Sequence, residues 1–182
     1  ATATVEVYYQ GNVDLSRSAT KSGDGWQKLG WTETLNSTTI LSSKTMDTKN
    51  ITLYPVFRKQ IAVNFYSGTN KTNDSRTVEF YNNTNTVSLA TPTPTTRSGW
   101  TALGWTDLTT MPSASTAYTA SGSNVTINAT SKSPVNYYAL YKLTLTLTYD
   151  ANGGSGAPAA EASKALYYCS NGNGMTSVTY TV

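Results

Sequence analysis

One eight-residue motif occurs twice in this chain, and whatever the chain folds into must house both copies. Gly25-Trp26-Gln27-Lys28-Leu29-Gly30-Trp31-Thr32 returns 74 positions later as Gly99-Trp100-Thr101-Ala102-Leu103-Gly104-Trp105-Thr106, and the two copies hold all four tryptophans. Self-similarity at a fixed spacing is the mark of a modular array. The similarity extends upstream, where Thr4-Val5-Glu6-Val7-Tyr8 parallels Thr77-Val78-Glu79-Phe80-Tyr81, and downstream, where Ile51 to Phe57 parallels Val135 to Tyr141. The second copy is longer by about ten residues, which places a loop insertion over 109–121.

Each parallel stretch leads into another apolar alternation, Ile61-Ala62-Val63-Asn64-Phe65-Tyr66 in one case and Leu143-Thr144-Leu145-Thr146-Leu147-Thr148-Tyr149 in the other. A period of two is the pattern of a strand with one buried face. A third unit therefore begins near residue 143. It runs through Asp150-Ala151-Asn152-Gly153-Gly154, a turn signal, to Leu166-Tyr167-Tyr168 and Ser177 to Val182, with no third tryptophan motif. The expected organisation is 1–59 as an incomplete unit lacking its opening strand, 60–142 as a complete unit, and 143–182 as the opening part of a third. Pro92 and Pro94 predict an extended connector, and only 157–165 could curl into a short helix. The fold class is mainly β, in small tandem modules with little or no helix.

In the motif itself, Leu29 and Trp31 share parity and are expected to point inward, with Gly30 opposite where a neighbouring backbone can come close. Trp26 is out of phase, so a bulge or turn intervenes. The expected core is Trp26, Leu29, Trp31, Trp100, Leu103 and Trp105. A buried indole contributes about 4–6 kcal/mol at most, a large share for a small unit. The competing reading is an aromatic platform for sugars, which exposure of Trp26 or Trp100 would favour.

Composition removes most chemistry. There is no histidine, so the usual general base, the Ser-His and Cys-His nucleophile pairs and the commonest zinc ligand are missing. Charged residues make up 13% of the chain, and the net charge of +3 comes from scattered Lys and Arg without the dense stripe that nucleic acid requires. Glu6 with Glu79 and Glu33 with Asp107 recur between units, which suits repeat features better than an acid/base pair. Asp150 and Asn152 read as a turn more readily than as a calcium site, which needs six to eight oxygens. No metal, cofactor or catalytic residue is expected. Cys169 stands alone, so no disulfide can form within the chain; a small strand residue is the simplest reading, beside an intermolecular bridge or a reactive thiol. No apolar run reaches membrane-span length, and no leader-like segment opens a chain that begins Ala1-Thr2-Ala3-Thr4 without Met, as a mature product or a fragment would.

Three stretches resemble the Listeria–Bacteroides repeat, the B repeats of internalin-type surface proteins. They are Thr45 to Phe57 as the tail of its unit, Leu145 to Gly154 as its opening, and Pro94 to Trp105 as its middle. The resemblance covers nearly the whole chain. It implies β-grasp-like modules strung along bacterial cell-surface or secreted proteins, with stalk, adhesive or partner-binding roles and no catalytic residues. Trp26 and Trp100 stand where that family usually has tyrosine, its short helix has no clear counterpart here, and these units are long for it.

Junctions between units are short: Arg58-Lys59-Gln60 in one place and Lys142 in the other. That predicts stiff coupling, since a flexible tether needs more length. The complementary ends predict head-to-tail self-association, with Leu143, Leu145, Leu147 and Tyr149 as an inter-subunit strand completing the head of another copy, or else continuation into further repeats of a parent chain. The expected function is a non-enzymatic, extracellular or cell-surface bacterial repeat protein forming a stiff stalk or filament. The alternative is an adhesin-type module for carbohydrate or a host surface protein. Neither nucleic acid nor membrane insertion is expected.

Overall fold

The computed structural model describes residues 8–67, 72–110, 112 and 123–181. Every regular element is a strand: β1 Trp26–Thr32, β2 Tyr54–Ser67, β3 Thr72–Tyr81, β4 Thr86–Ala90, β5 Thr101–Thr106, β6 Asn124–Asn128, β7 Val135–Leu145 and β8 Lys164–Cys169. Among the described residues there is no helix, and 157–165 is extended or irregular. The mainly-β class stands. The stretch Ser177 to Val182 forms no strand across 177–181, while residues 4–7 and most of the 109–121 insertion lie outside the described residues.

The chain divides into two compact units, each assembled from separated segments. The first comprises 1–61, 77–87 and 126–133; the second comprises 62–76, 88–125 and 134–182. The expected boundaries at 59/60 and 142/143 fall inside β2 and β7, which run through them without a break.

In the first unit β1 lies antiparallel to the start of β2, with Trp26 opposite Lys59 and Thr32 opposite Tyr54. At the end of β3, Asn82 takes over. Its N–H donates to Phe57 O at 3.1 Å, its Oδ1 accepts from Phe57 N at 3.0 Å, and its Nδ2 donates to Ser37 O at 3.0 Å. Asn82 holds a φ of 46°, a left-handed conformation that Asn tolerates better than most residues. Val56 and Ile61 are fully buried in this unit.

The second unit holds a mixed sheet. The end of β2 runs parallel to β7, Val63 to Tyr66 lying opposite Val135 to Tyr138; β3 pairs with β2, and β5 and β8 pair antiparallel with β7. Phe65, stacked on Tyr137 at 5.6 Å and edge-on to Trp105 at 5.0 Å, sits in the middle of the core with Val63, Leu140 and Tyr141, all at 0% exposure except Trp105 at 2%. On the other face the Asn64 and Asn136 side chains hydrogen-bond at 3.0 Å, and Tyr66 stacks on Tyr138 at 5.3 Å. Separately, β4 and β6 form a two-stranded sheet.

The two tryptophan strands repeat one geometry. β1 on β2 and β5 on β7 both shift register at the leucine of the motif, between Lys28 and Gly30 and between Ala102 and Gly104. After the shift Trp31 faces Pro55 and Trp105 faces Ala139, positions 84 apart on the receiving strands. Thr32 and Thr106 are both buried, and each hydroxyl accepts the N–H two residues on. Gly25 and Gly99 hold φ values of 81° and 76°, a backbone state that disfavours any side chain.

That shared bulge corrects the expected core. Leu29 and Leu103 are each 36% exposed, because an extra residue on one strand resets the alternation and aims the bulged side chain outward. Trp105 is buried, whereas Trp26, Trp31 and Trp100 are half-buried. Gly30 faces a side chain rather than the expected backbone: a Cβ there would lie 2.3 Å from Ile40 Cγ2.

Candidate functional site

Each motif begins with an indole under a cation. Lys21 Nζ lies 3.7 Å from the Trp26 ring centroid, and the Arg97 guanidinium lies 4.9 Å from Trp100 and 3.9 Å from Tyr168. Such contacts contribute about 0.5–2 kcal/mol depending on desolvation. Partial burial also pushes the Lys21 ammonium below its ordinary pKa. Trp100 further meets Tyr168 edge-on at 6.2 Å. Both first tryptophans thus have a ring face already covered.

The second tryptophans differ from one another. Trp105 Nε1 donates to Pro92 O at 2.8 Å, using the carbonyl of the proline connector. Trp31 Nε1 is buried with no hydrogen-bond partner among the described residues, and its ring face meets Lys28 Nζ at 4.8 Å.

A groove of about 620 Å³ opens in the first unit beside Trp26. Its floor is Lys59, 8% exposed, whose ammonium donates to Ala129 O at 2.6 Å and Ser131 O at 3.3 Å. Asp24, Gln60, Asn85 and Lys132 add polar groups to the lining. These groups can hydrogen-bond a polar ligand, but they do not form a nucleophile–base pair. Several carboxylates elsewhere make surface contacts. Glu79 accepts from Gln60 at 2.7 Å and Tyr81 at 2.7 Å, which holds its pKa below the usual value, and Glu33 pairs with Lys44 at 2.5 Å. Asp150 Oδ1 accepts Asn152 N at 2.6 Å, closing a turn, while Glu6 lies outside the described residues. Among the described residues no three His, Cys, Asp or Glu side chains converge to hold a metal. Cys169 is buried in β8 opposite Leu140, and burial raises its thiol pKa. Among the described residues no helix is long and apolar enough to cross a membrane.

The proposed donor strand lies at the far end of β7. Leu143 pairs with Leu166 and Leu145 with Lys164 on β8. Further on, Leu147 O accepts from Glu161 N at 2.9 Å, and Tyr180 donates its hydroxyl to Leu145 O at 2.6 Å. One edge of this segment is therefore engaged on the β8 side. Its apolar side chains are poorly covered: Leu145 is 38% exposed, and Leu147 and Tyr149 are half-buried. Counting 84 positions back reaches Ile61, Val63 and Phe65, every one of them fully buried. Sequence reasoning found this segment but missed Asn82 and the cation over each first tryptophan. The recurring Gly-Trp gave the only signal for the latter.

No family model, curated protein or solved structure matches this chain. Its reading therefore rests on its own residues and geometry.

Proposed function

We propose that this chain is a non-enzymatic, extracellular bacterial repeat protein whose β modules make a stiff stalk or head-to-tail filament, with the 143–182 segment donating a strand to another copy. One observation carries the reading. Leu145 at the end of β7, and Leu147 and Tyr149 just beyond it, leave an apolar face partly in water, while the equivalent Ile61, Val63 and Phe65 are fully buried, Val63 and Phe65 in the stretch that pairs in parallel with β7 and Phe65 against Trp105. Exposed apolar side chains along an extended segment favour strand addition. The likeness to the Listeria–Bacteroides repeat supports the same kind of role.

Sedimentation velocity on the full chain over a wide concentration range tests this. Association that grows with concentration and gives rods in electron micrographs is expected; a monomer throughout overturns it. Deleting 143–182 is the wrong control, because it strips β8 from β7. Leu147→Asp leaves that pairing in place and is expected to abolish association.

A second reading, an adhesin-type module for carbohydrate or a host surface protein, draws on the groove beside Trp26 and its polar lining. It ranks lower because Lys21 already occupies a face of the ring that a sugar would stack on. Glycan-array binding lost in Trp26→Ala would reverse that ranking.

A further inference from the structure

Strand donation needs an acceptor, and the first unit contains one. In the second unit, the edge of β7 is shared: β8 covers Leu140 to Leu145, and Val135 to Tyr138 take the parallel strand Val63 to Tyr66. In the first unit, β3 ends at Tyr81, with Asn82 bonded to Phe57. The residues that follow along that edge, toward Ile51, are the counterparts of Val135 to Tyr138. Tyr54 pairs with Thr32 on its other side, Ile51 to Leu53 belong to no strand, and no described strand runs beside them. Next to them opens a groove of about 380 Å³ lined by Val13, Met46, Asn50, Ile51 and Leu53, a largely apolar set.

We propose that Leu147 to Asp150 of a second copy of this chain pairs in parallel with Ile51 to Tyr54, in the register Leu147–Ile51, Thr148–Thr52, Tyr149–Leu53 and Asp150–Tyr54. The register follows from moving the observed β2–β7 pairing by the 84 positions that relate the two tryptophan-strand partners. Side-chain chemistry agrees at three of the four rungs. Val63 against Val135 becomes Leu147 against Ile51, two apolar groups. Asn64 against Asn136, a polar rung, becomes Thr148 against Thr52, both exposed. Phe65 stacked on Tyr137 becomes Tyr149 over Leu53, an aromatic on an aliphatic. A slip of one residue would turn Leu147 and Tyr149 to the polar face, so the register is set by burial. Such a contact does not close on itself, and each added copy presents a new donor and a new acceptor.

This inference rests on the filament reading and adds the acceptor edge and register. The test mixes two full-length variants, Thr52→Cys and Thr148→Cys, under mild oxidation. Neighbouring strands run about 4.8 Å apart, within reach of a disulfide, and buried Cys169 does not compete. Disulfide-linked dimers are expected, at least roughly fivefold more than from Thr148→Cys mixed with Leu53→Cys, whose side chain lies on the opposite face. Association of wild-type protein together with no excess of the 52/148 link in the mixed variants overturns the register and leaves the filament reading intact. A monomer with no link overturns both.

Discussion

Trp31 and Trp105 occupy the same place in two copies of one motif, yet replacing each by phenylalanine should have opposite consequences. Trp105→Phe removes roughly 40 Å³ from a packed core, which at ~24 cal/mol per Å³ costs about 1 kcal/mol. It also strips the donor from the half-buried Pro92 O, which costs about 1 kcal/mol more. Trp31→Phe loses less packing, because the ring is only half-buried, and deletes an N–H that is buried without a partner. Relief of that unpaired donor offsets about 1 kcal/mol. The net expectation is a loss of about 2 kcal/mol for Trp105→Phe and a change between about −0.5 and +1 kcal/mol in stability for Trp31→Phe. Urea unfolding followed by far-UV circular dichroism reads the difference. With a slope of about 1–3 kcal/mol per molar urea, Trp105→Phe should move its midpoint down by roughly 1 M or more while Trp31→Phe leaves its own nearly unmoved. Equal losses for the two would refute the claim that the Pro92 bond and the unpaired Trp31 donor distinguish these sites.

Further outcomes follow from single contacts. Asn82→Ala should cost about 2–3 kcal/mol in thermal or urea unfolding, since it leaves Phe57 N unbonded and puts Ala at a φ of 46°; Asn82→Gly removes the same bonds without the backbone penalty and should recover about 1 kcal/mol. Gly30→Ala meets Ile40 Cγ2 and should destabilise, with Ile40→Ala in the same chain restoring most of the loss. Cys169 should resist a thiol reagent at neutral pH until the chain is unfolded, given its 1% exposure. The raised Cys169 pKa means the fold favours the neutral thiol, so that contribution is complete below the ordinary thiol pKa near 8.5 and declines as pH rises beyond it; in Cys169→Ala this part of the alkaline slope should vanish from a stability–pH series.

The alternation at Ile61, Val63 and Phe65 translated directly into burial, because a period of two needs no knowledge of the partner strand. The motif leucines did not obey the same logic. Leu29 and Trp31 share parity in sequence, but a bulge at the leucine breaks the phase, and whether Gly30 tolerates a bulge or a close neighbour is invisible until the opposing strand is known. The parallel pairing of β2 with β7 joins residues 72 apart, a long-range choice that no local pattern encodes. Likewise Asn82 reads as one polar residue in an Asn-rich turn, and its three bonds to Phe57 and Ser37 exist only once β3 returns alongside β2. The alternation from Leu143 to Tyr149 was legible, though the strand ends at Leu145; that the equivalent Ile61, Val63 and Phe65 are fully buried emerged only from three dimensions.

The parallel pair of β2 and β7 has a consequence for a chain under tension. Within the second unit β2 and β7 point the same way, and after β7 the chain turns back through β8, which lies antiparallel to β7. Tension applied between the start of β2 and the end of β7 would drag the two strands past each other in opposite senses, so the rungs from Val63–Val135 to Tyr66–Tyr138 would be loaded together in shear. They cannot open one at a time as a zipper does. The Asn64–Asn136 bond and the two aromatic stacks lie across that sliding plane and would have to yield at the same moment.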